Sequence, residues 1–183
     1  MAVRNSMAEL ISRLRSLVGD PAGADQEFDD QSLQDHLDRH RSEVRYLELT
    51  GAETIAPGGA VSYLDYYADR GDWENDEKLY NSTYAELAPA TSDRLTGHWT
   101  FAADQDPPVY IVGKAYDVYA AAADLLEAWA AREKLSFDFD TDGQSFKRSQ
   151  KAAMLLEMAR EYRRQQRPVS VPQVRSDANS YRA

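Results

Sequence analysis

Asp138, Asp140 and Asp142 alternate with Phe139 and Thr141 ahead of Gly143, which is how a calcium-binding EF-hand loop begins. Carboxylates at loop positions 1, 3 and 5 converge on the ion, and glycine at position 6 permits the sharp turn. The match stops there. Position 12, where the loop needs a bidentate Glu, is Ser149; position 8, normally apolar, is Ser145; and Lys147 and Arg148 would repel a cation. The same residues read as a helix entry, with Asp142 or Ser145 as cap and Gly143 as turn. His36 and His40 stand four apart on one helical face, as in zinc proteases, but Leu37 occupies the place of the catalytic Glu and the remaining histidine, His98, falls in a predicted strand. There is no glycine-rich phosphate loop, no Gly-x-Ser-x-Gly elbow and no cysteine for a disulfide, thiolate site or nucleophile. These patterns point away from an enzyme and call for no cofactor. A small acidic metal- or ligand-binding module around Asp138, Asp140 and Asp142 stays open as the alternative.

The arginines are more promising. Arg160, Arg163, Arg164 and Arg167 recur at i, i+3, i+4 and i+7, so a helix would set four guanidinium groups on one stripe. Pro168 stops that helix, and beyond it Val169, Val171, Val174 and Arg175 lie in a segment with two prolines and no core-forming pattern. Alternation of Val169, Ser170 and Val171 suits a segment that adds to a sheet edge on a partner. The stripe with the extended tail of residues 168–183 is thus the candidate docking site. An Arg stripe can also meet nucleic acid, but no recognisable reading motif accompanies it, which favours protein docking.

Four helices must position these residues. Over residues 6–18, Met7, Leu10, Ile11, Leu14, Leu17 and Val18 form one apolar stripe ending at Gly19-Asp20-Pro21. Asp29 or Asp30 can cap a second helix running to about Arg41, with Leu33 and Leu37 inward. Residues 114–134 carry apolar side chains nearly all round, among them Tyr116, Tyr119, Leu125, Leu126 and Trp129, which predicts a helix in the core or at a subunit interface. The last helix is predicted over residues 145–166 with Phe146, Ala153, Leu156, Ala159 and Tyr162 towards the core. Between the helical pairs the period switches to alternation: short β-branched and aromatic runs over residues 46–50, 61–67, 79–84, 98–101 and 109–112 are separated by turn formers. Arg70-Gly71-Asp72 reads as one such turn. The expected fold is therefore α+β: a mainly helical core of about four helices (residues 1–43 and 114–167), an inserted small antiparallel β-rich domain (44–113) whose face Tyr63, Tyr66, Trp99, Phe101 and Tyr110 would pack, and an extended tail (168–183).

Composition bounds the rest. At 183 residues, 43% apolar and 28% charged, the chain suits one soluble domain with a real core, and no apolar run reaches the roughly 20 residues that span a bilayer. The N-terminus has no signal-peptide pattern, which predicts an untargeted intracellular protein. Residues 145–183 hold nine Lys and Arg against three Asp and Glu, a net of +6; residues 1–144 hold twelve against twenty-eight, a net of -16. Such asymmetry suggests that the two parts meet different surroundings.

Three stretches, YDVYAAAADLLEAWAA (116–131), FDFDTDGQSFKRSQKA (137–152) and LLEMAREYRRQQRPVSVPQVRSDA (155–178), together with the two N-terminal helices, resemble the head-to-tail adaptor, or connector, proteins of long-tailed bacteriophages. The resemblance implies a non-enzymatic structural virion protein of the neck, made in the host cytoplasm. It implies a homo-oligomeric, dodecameric ring whose tail engages the portal protein and whose opposite face receives a stopper or tail-completion protein. DNA would pass through the channel without sequence-specific binding, and no membrane would be involved. Small members of that family are nearly all helical, so the β-rich stretch departs from the pattern. A ring uses heterologous contacts, and the acidic and basic parts of one chain could supply the two complementary faces.

Overall fold

The computed structural model describes residues 2–134, 139–141, 144–146 and 148–167. A 3-10 turn at Asn5–Met7 leads into α1 (Ala8–Val18), whose stripe of Leu10, Ile11, Leu14 and Val18 is buried together with Met7. Gly19 closes the helix at φ 70°, the left-handed conformation a C-terminal cap requires. Asp29 caps α2 (Asp30–Arg39), its side chain accepting from the Ser32 N–H, and Leu33 and Leu37 point inward as expected. Against these pack α3 (Val118–Lys134) and α4 (Arg148–Gln165). Ala121, Ala122, Ala123, Leu125, Leu126 and Ala130 of α3 have no exposed surface, so the near-uniform apolar circumference is covered within one chain by the other three helices. The buried stripe of α4 is Ala152, Leu155 and Ala159, with Tyr162 and Leu156 half-buried, whereas Ala153, expected inward, is exposed. Ala152 and Ala153, and Leu155 and Leu156, are adjacent pairs of like residues. Either phase makes a helical stripe, and only the approach to α3 chooses between them.

The β region is larger than the small sheet expected. Seven antiparallel strands lie in the order β4-β3-β7-β1-β2-β6-β5: β1 (Arg41–Ile55), β2 (Val61–Tyr67), β3 (Lys78–Tyr80), β4 (Glu86–Leu87), β5 (Thr91–Asp93), β6 (His98–Thr100) and β7 (Val109–Tyr116). The sheet begins earlier and ends later than 44–113 because Arg41, Ser42 and Glu43 pair with Tyr116, Ala115 and Lys114. Their backbone groups are satisfied in that ladder, and Asp117, accepting from the Ala120 N–H, starts α3 four residues after the predicted Lys114. Tyr116 is accordingly a strand residue, although its ring lies in the helical core. Of the predicted run 79–84 only Leu79 and Tyr80 are strand.

The first half of β1 pairs with β7 and its second half with β2, with irregular register at Val44/Leu47 and Ala52/Glu53. Bulges of this kind bend and coil a long strand, and here the sheet curls over its own core of Leu49, Tyr66, Trp73, Leu79, Trp99, Phe101, Val109 and Ile111. The Trp73 and Trp99 rings meet edge to face at 5.9 Å, and the Trp99 indole N–H donates to Glu77 at 3.2 Å. Tyr110 alternates to the other face, between buried Val109 and Ile111, and stacks on Tyr84. A two-stranded hairpin, β8 (Phe139–Thr141) with β9 (Gln144–Phe146), separates α3 from α4. The last helix therefore starts at Arg148 and not at residue 145, and neither Ser145 nor Phe146 belongs to it.

A polar seam joins the two apolar cores. Glu74 has no exposed surface and accepts from the Arg4 Nε at 2.9 Å, the Ser6 hydroxyl at 2.6 Å and the Tyr116 hydroxyl at 2.6 Å. Arg4 also forks onto Asp38 of α2 at 2.9 and 2.6 Å. Burial pushes the Glu74 carboxyl up, but the hydrogen bonds from Ser6, Tyr116 and Arg4 outweigh it and hold the group at about 2. Burial, reinforced by the bond to Glu74, pushes the Tyr116 hydroxyl far above its ordinary value.

Candidate functional site

At the C-terminal end of α4 the four arginines of the predicted stripe divide into two pairs. Arg163 donates to Asp124 and, at 3.0 Å, to Glu127, both on α3. Arg167 donates through its backbone N–H to Asp117 at 2.7 Å and through its guanidinium to the Gly71 carbonyl at 2.8 Å, with Asp72 at 3.3 Å. Arg160 and Arg164 are exposed, and Arg164 pairs with Glu161 one turn back on its own helix. The four do not form one helical stripe: Arg167 lies beyond the end of α4 at Gln165, and Arg163 and Arg167 fix the helix end within the chain while Arg160 and Arg164 point away. Val169, Val171, Val174 and Arg175 lie outside the described residues.

Two of the partners of Arg167, the Gly71 carbonyl and Asp72, come from the turn read as Arg70-Gly71-Asp72. That turn lies against residues 94–97: Asp72 N–H donates to the Leu95 carbonyl at 3.2 Å, Trp73 N–H to that of Arg94 at 3.1 Å, and Ala68 N–H to that of Gly97 at 2.9 Å. A Cβ on Gly71 would stand 2.0 Å from the Leu95 oxygen, and one on Gly97, whose φ is 79°, would stand 2.2 Å from the Arg70 oxygen, so both positions require glycine. The close approach turns Asp72, at φ 59°, inward between Arg13 of α1 at 2.8 Å and Arg167. Burial pushes its carboxyl above the usual range, opposed by the two guanidinium groups. Asp72 therefore ties the first and last helices to the sheet.

His40 donates or accepts at 2.6 Å with Asp124, the carboxylate that also holds Arg163. Burial, with Arg39 and His40 nearby, pushes His36 below its ordinary value. His40 thus joins the end of α2 to α3, and His98 is bound to Asp65 at 2.8 Å on the sheet. Among the described residues no group of three His, Asp or Glu side chains is placed to share a metal ion. Asp138 and Asp142 lie outside the described residues, and Asp140 pairs with Ser145 in the hairpin. Tyr119 tilts against Tyr162 at 5.9 Å, and Trp129 meets Phe28 edge to face at 5.8 Å under the Lys151 ammonium. Of the helix residues expected in the core or at a subunit interface, Leu125 and Leu126 are core, and Tyr119 and Trp129 are half-buried between helices of the same chain.

Sequence reasoning missed Arg4, Asp72, Glu74 and Asp117, the groups that join the parts. The one available signal was Gly71-Asp72, a glycine ahead of an acidic residue in a turn that proves to be a crossing point. Among the described residues no helix is long and apolar enough to cross a membrane. No family model, curated protein or solved structure matches this chain.

Proposed function

We propose that the chain is a structural adaptor of the head-to-tail connector kind, a ring-forming virion component that docks on a portal protein through its C-terminal tail and receives a stopper or tail-completion protein on the opposite face. The observation that carries this reading is the anchoring of α4. Arg163 and Arg167 bind α3, the 71–72 turn and Asp117, so the segment that follows residue 167 starts from a fixed point beside the seam. A tail without a core-forming pattern, issued from a fixed point and carrying alternating valines, is the arrangement that strand addition to a partner uses. Arg160 and Arg164, exposed next to that exit, supply cationic forks for carboxylates on the partner. The strong charge asymmetry further supports heterologous contacts between copies. The seven-stranded sheet departs from the helical pattern of small connectors, and on this reading it is an added face for a neighbour or tail protein.

The test is a version ending at residue 167, compared with the full chain for folding by thermal melting and for binding to the purified portal. The shortened protein should melt within a few degrees of the full chain and lose portal binding, while electron micrographs of the full chain with portal should show added rings. Unchanged portal affinity after the truncation would refute the docking assignment.

A further inference from the structure

A cleft of about 730 Å³ opens where the end of α2, the start of β1, the 69–70 turn, the start of α3 and the end of α4 meet. Arg39, Arg41, Arg70 and Arg167 line it together with His40 and Ser42. Among the described residues the acidic ones on its wall are two, Asp69 and Asp117, so four guanidinium groups against two carboxylates leave +2 with His40 neutral, in a chain whose net charge is -10. Three separate stretches of sequence (39–41, 70 and 167) contribute these cations, so the concentration is a product of the fold and not of a local basic run.

The two carboxylates are already engaged. Asp69 takes both its bonds from Arg70, each at 2.7 Å, and Asp117 accepts from the N–H groups of Ala120 at 2.9 Å and Arg167 at 2.7 Å. The cations are less fully used. Arg39 is exposed and has no carboxylate partner among the described residues. Among the described residues the Arg41 guanidinium bonds Glu43 alone, two residues along its own strand, at 3.2 Å. A guanidinium carries five N–H donors, so each of the four retains donors after its internal bonds are counted. An anion entering the cleft therefore meets unspent forks on Arg39 and Arg41 and the free edges of Arg70 and Arg167.

We propose that this cleft binds a phosphate-bearing anion with at least two phosphate groups. A single carboxylate occupies one fork, whereas a phosphate offers three terminal oxygens and up to two charges, which several planar guanidinium groups can share. The volume lies in the range of small-ligand sites, about 300–1,000 Å³, and exceeds what one phosphate fills. Free polyphosphates and the backbone of a nucleic acid present the same chemistry. The inference does not depend on the adaptor reading, since it uses no residue beyond 167 and no partner protein.

The experiment is calorimetric titration of the full chain with pyrophosphate and, separately, with a short single-stranded oligonucleotide, at matched low ionic strength. Saturable pyrophosphate binding is expected with a dissociation constant of roughly 0.01–1 mM. The Arg39→Gln/Arg41→Gln double variant should bind at least about tenfold more weakly while keeping the wild-type melting temperature, because both side chains are exposed. Should that variant melt early, Arg39→Lys/Arg41→Lys keeps the charge and removes the forks, and it too should bind more weakly. Pyrophosphate bound with the oligonucleotide ignored assigns the site to a free polyphosphate. Tighter oligonucleotide binding with a steep salt dependence assigns it to a nucleic-acid backbone. Absence of saturable binding of either probe below about 10 mM, or equal affinity in the wild type and a folded double variant, overturns the proposal.

Discussion

Replacing Glu74 by Gln tests the seam that joins the two cores. The substitution keeps the side-chain volume and one carbonyl oxygen but removes the charge, and it sets an amide NH2 against donors, since Arg4, Ser6 and Tyr116 all give hydrogen bonds to this carboxylate. At least one of those donors loses its acceptor in a site with no exposed surface. Removing one partner of a buried, hydrogen-bonded ion pair costs about 3–5 kcal/mol. Arg4 keeps Asp38, so the lower end of that range applies, and about 3 kcal/mol is the expected loss at pH 7.

The acid limb of the stability curve gives a second readout. Glu74 is held at about 2 against an ordinary value of 4.5. A carboxyl with a depressed folded value contributes stability that is complete above its unfolded value and is lost as pH falls towards the folded one. Its share, on the order of 3 kcal/mol at one unit per 1.36 kcal/mol, should disappear between about pH 4.5 and 2. Urea unfolding followed by tryptophan fluorescence suits the measurement, because Trp73 and Trp99 report the sheet core and Trp129 the helical one. In Glu74→Gln the midpoint at pH 7 should drop and the acid limb should flatten. If the variant stays within 1 kcal/mol of wild type at pH 7 and keeps the same acid limb, the seam contributes no net stability and this account of it is wrong.

Gly71→Ala should prevent folding or cost several kcal/mol, because its Cβ would stand 2.0 Å from a backbone oxygen that cannot swing aside; a melting temperature within a few degrees of wild type would contradict this. His36 is half-buried with its value depressed and is faced by Arg39, His40, Asp35 and Asp124, so the unfolded chain takes up its proton first. Stability should fall as pH drops below about 6.5, and His36→Gln should flatten the curve there. Arg163→Ala removes a pair of bonds that is about one-third exposed, so a loss of about 1 kcal/mol is expected, measured by urea unfolding. Calcium at about 1 mM should leave the melting temperature unchanged, since the 138–149 segment lacks the bidentate Glu of position 12; a rise of several degrees, abolished by Asp140→Ala, would restore the calcium-module reading.

What could be read from the sequence was whatever local periodicity controls. The spacing of Leu10, Leu14 and Val18, the cap at Asp29 and the alternation through Val109 and Ile111 each report a face, and those faces are buried as expected. The errors fell where two neighbouring choices are locally equivalent. Lys114–Tyr116 can begin a helix or end a strand, and pairing with Arg41–Glu43 decides for the strand. The spacing of the arginines was legible, but periodicity does not say that Asp124 and Glu127 of another helix stand opposite Arg163, nor that the helix ends before Arg167. The basic cleft was illegible for the same reason, since its cations come from residues about thirty and a hundred apart in the chain.

The character of the seam bears on how the two parts are held. The helical core closes mainly over Leu and Ala, with Met7, Ile11, Val18, Phe28, Tyr116 and Val118, and the sheet core over Tyr66, Trp73, Trp99 and Phe101 with aliphatic neighbours, so each satisfies its own apolar surface. What lies between is directional: Arg4, Asp38, Glu74, Tyr116 on one side, and Arg13, Asp72, Asp117, Arg167 on the other. Apolar contact tolerates sliding, whereas a buried carboxylate with three donors has one low-energy geometry. The sequence concentrates that specification in the short crossing at residues 70–74. Gly71 permits the close approach, and the left-handed turn at Asp72, φ 59°, then lets Asp72 and Glu74 reach separate networks. A substitution within this crossing should therefore disturb the orientation of sheet on helices before it disturbs either core. In Asp72→Asn, loosening would appear as faster amide exchange along β7 and the end of α4, with exchange inside α1 unchanged; uniform acceleration across both cores would show instead that the two parts unfold as one unit.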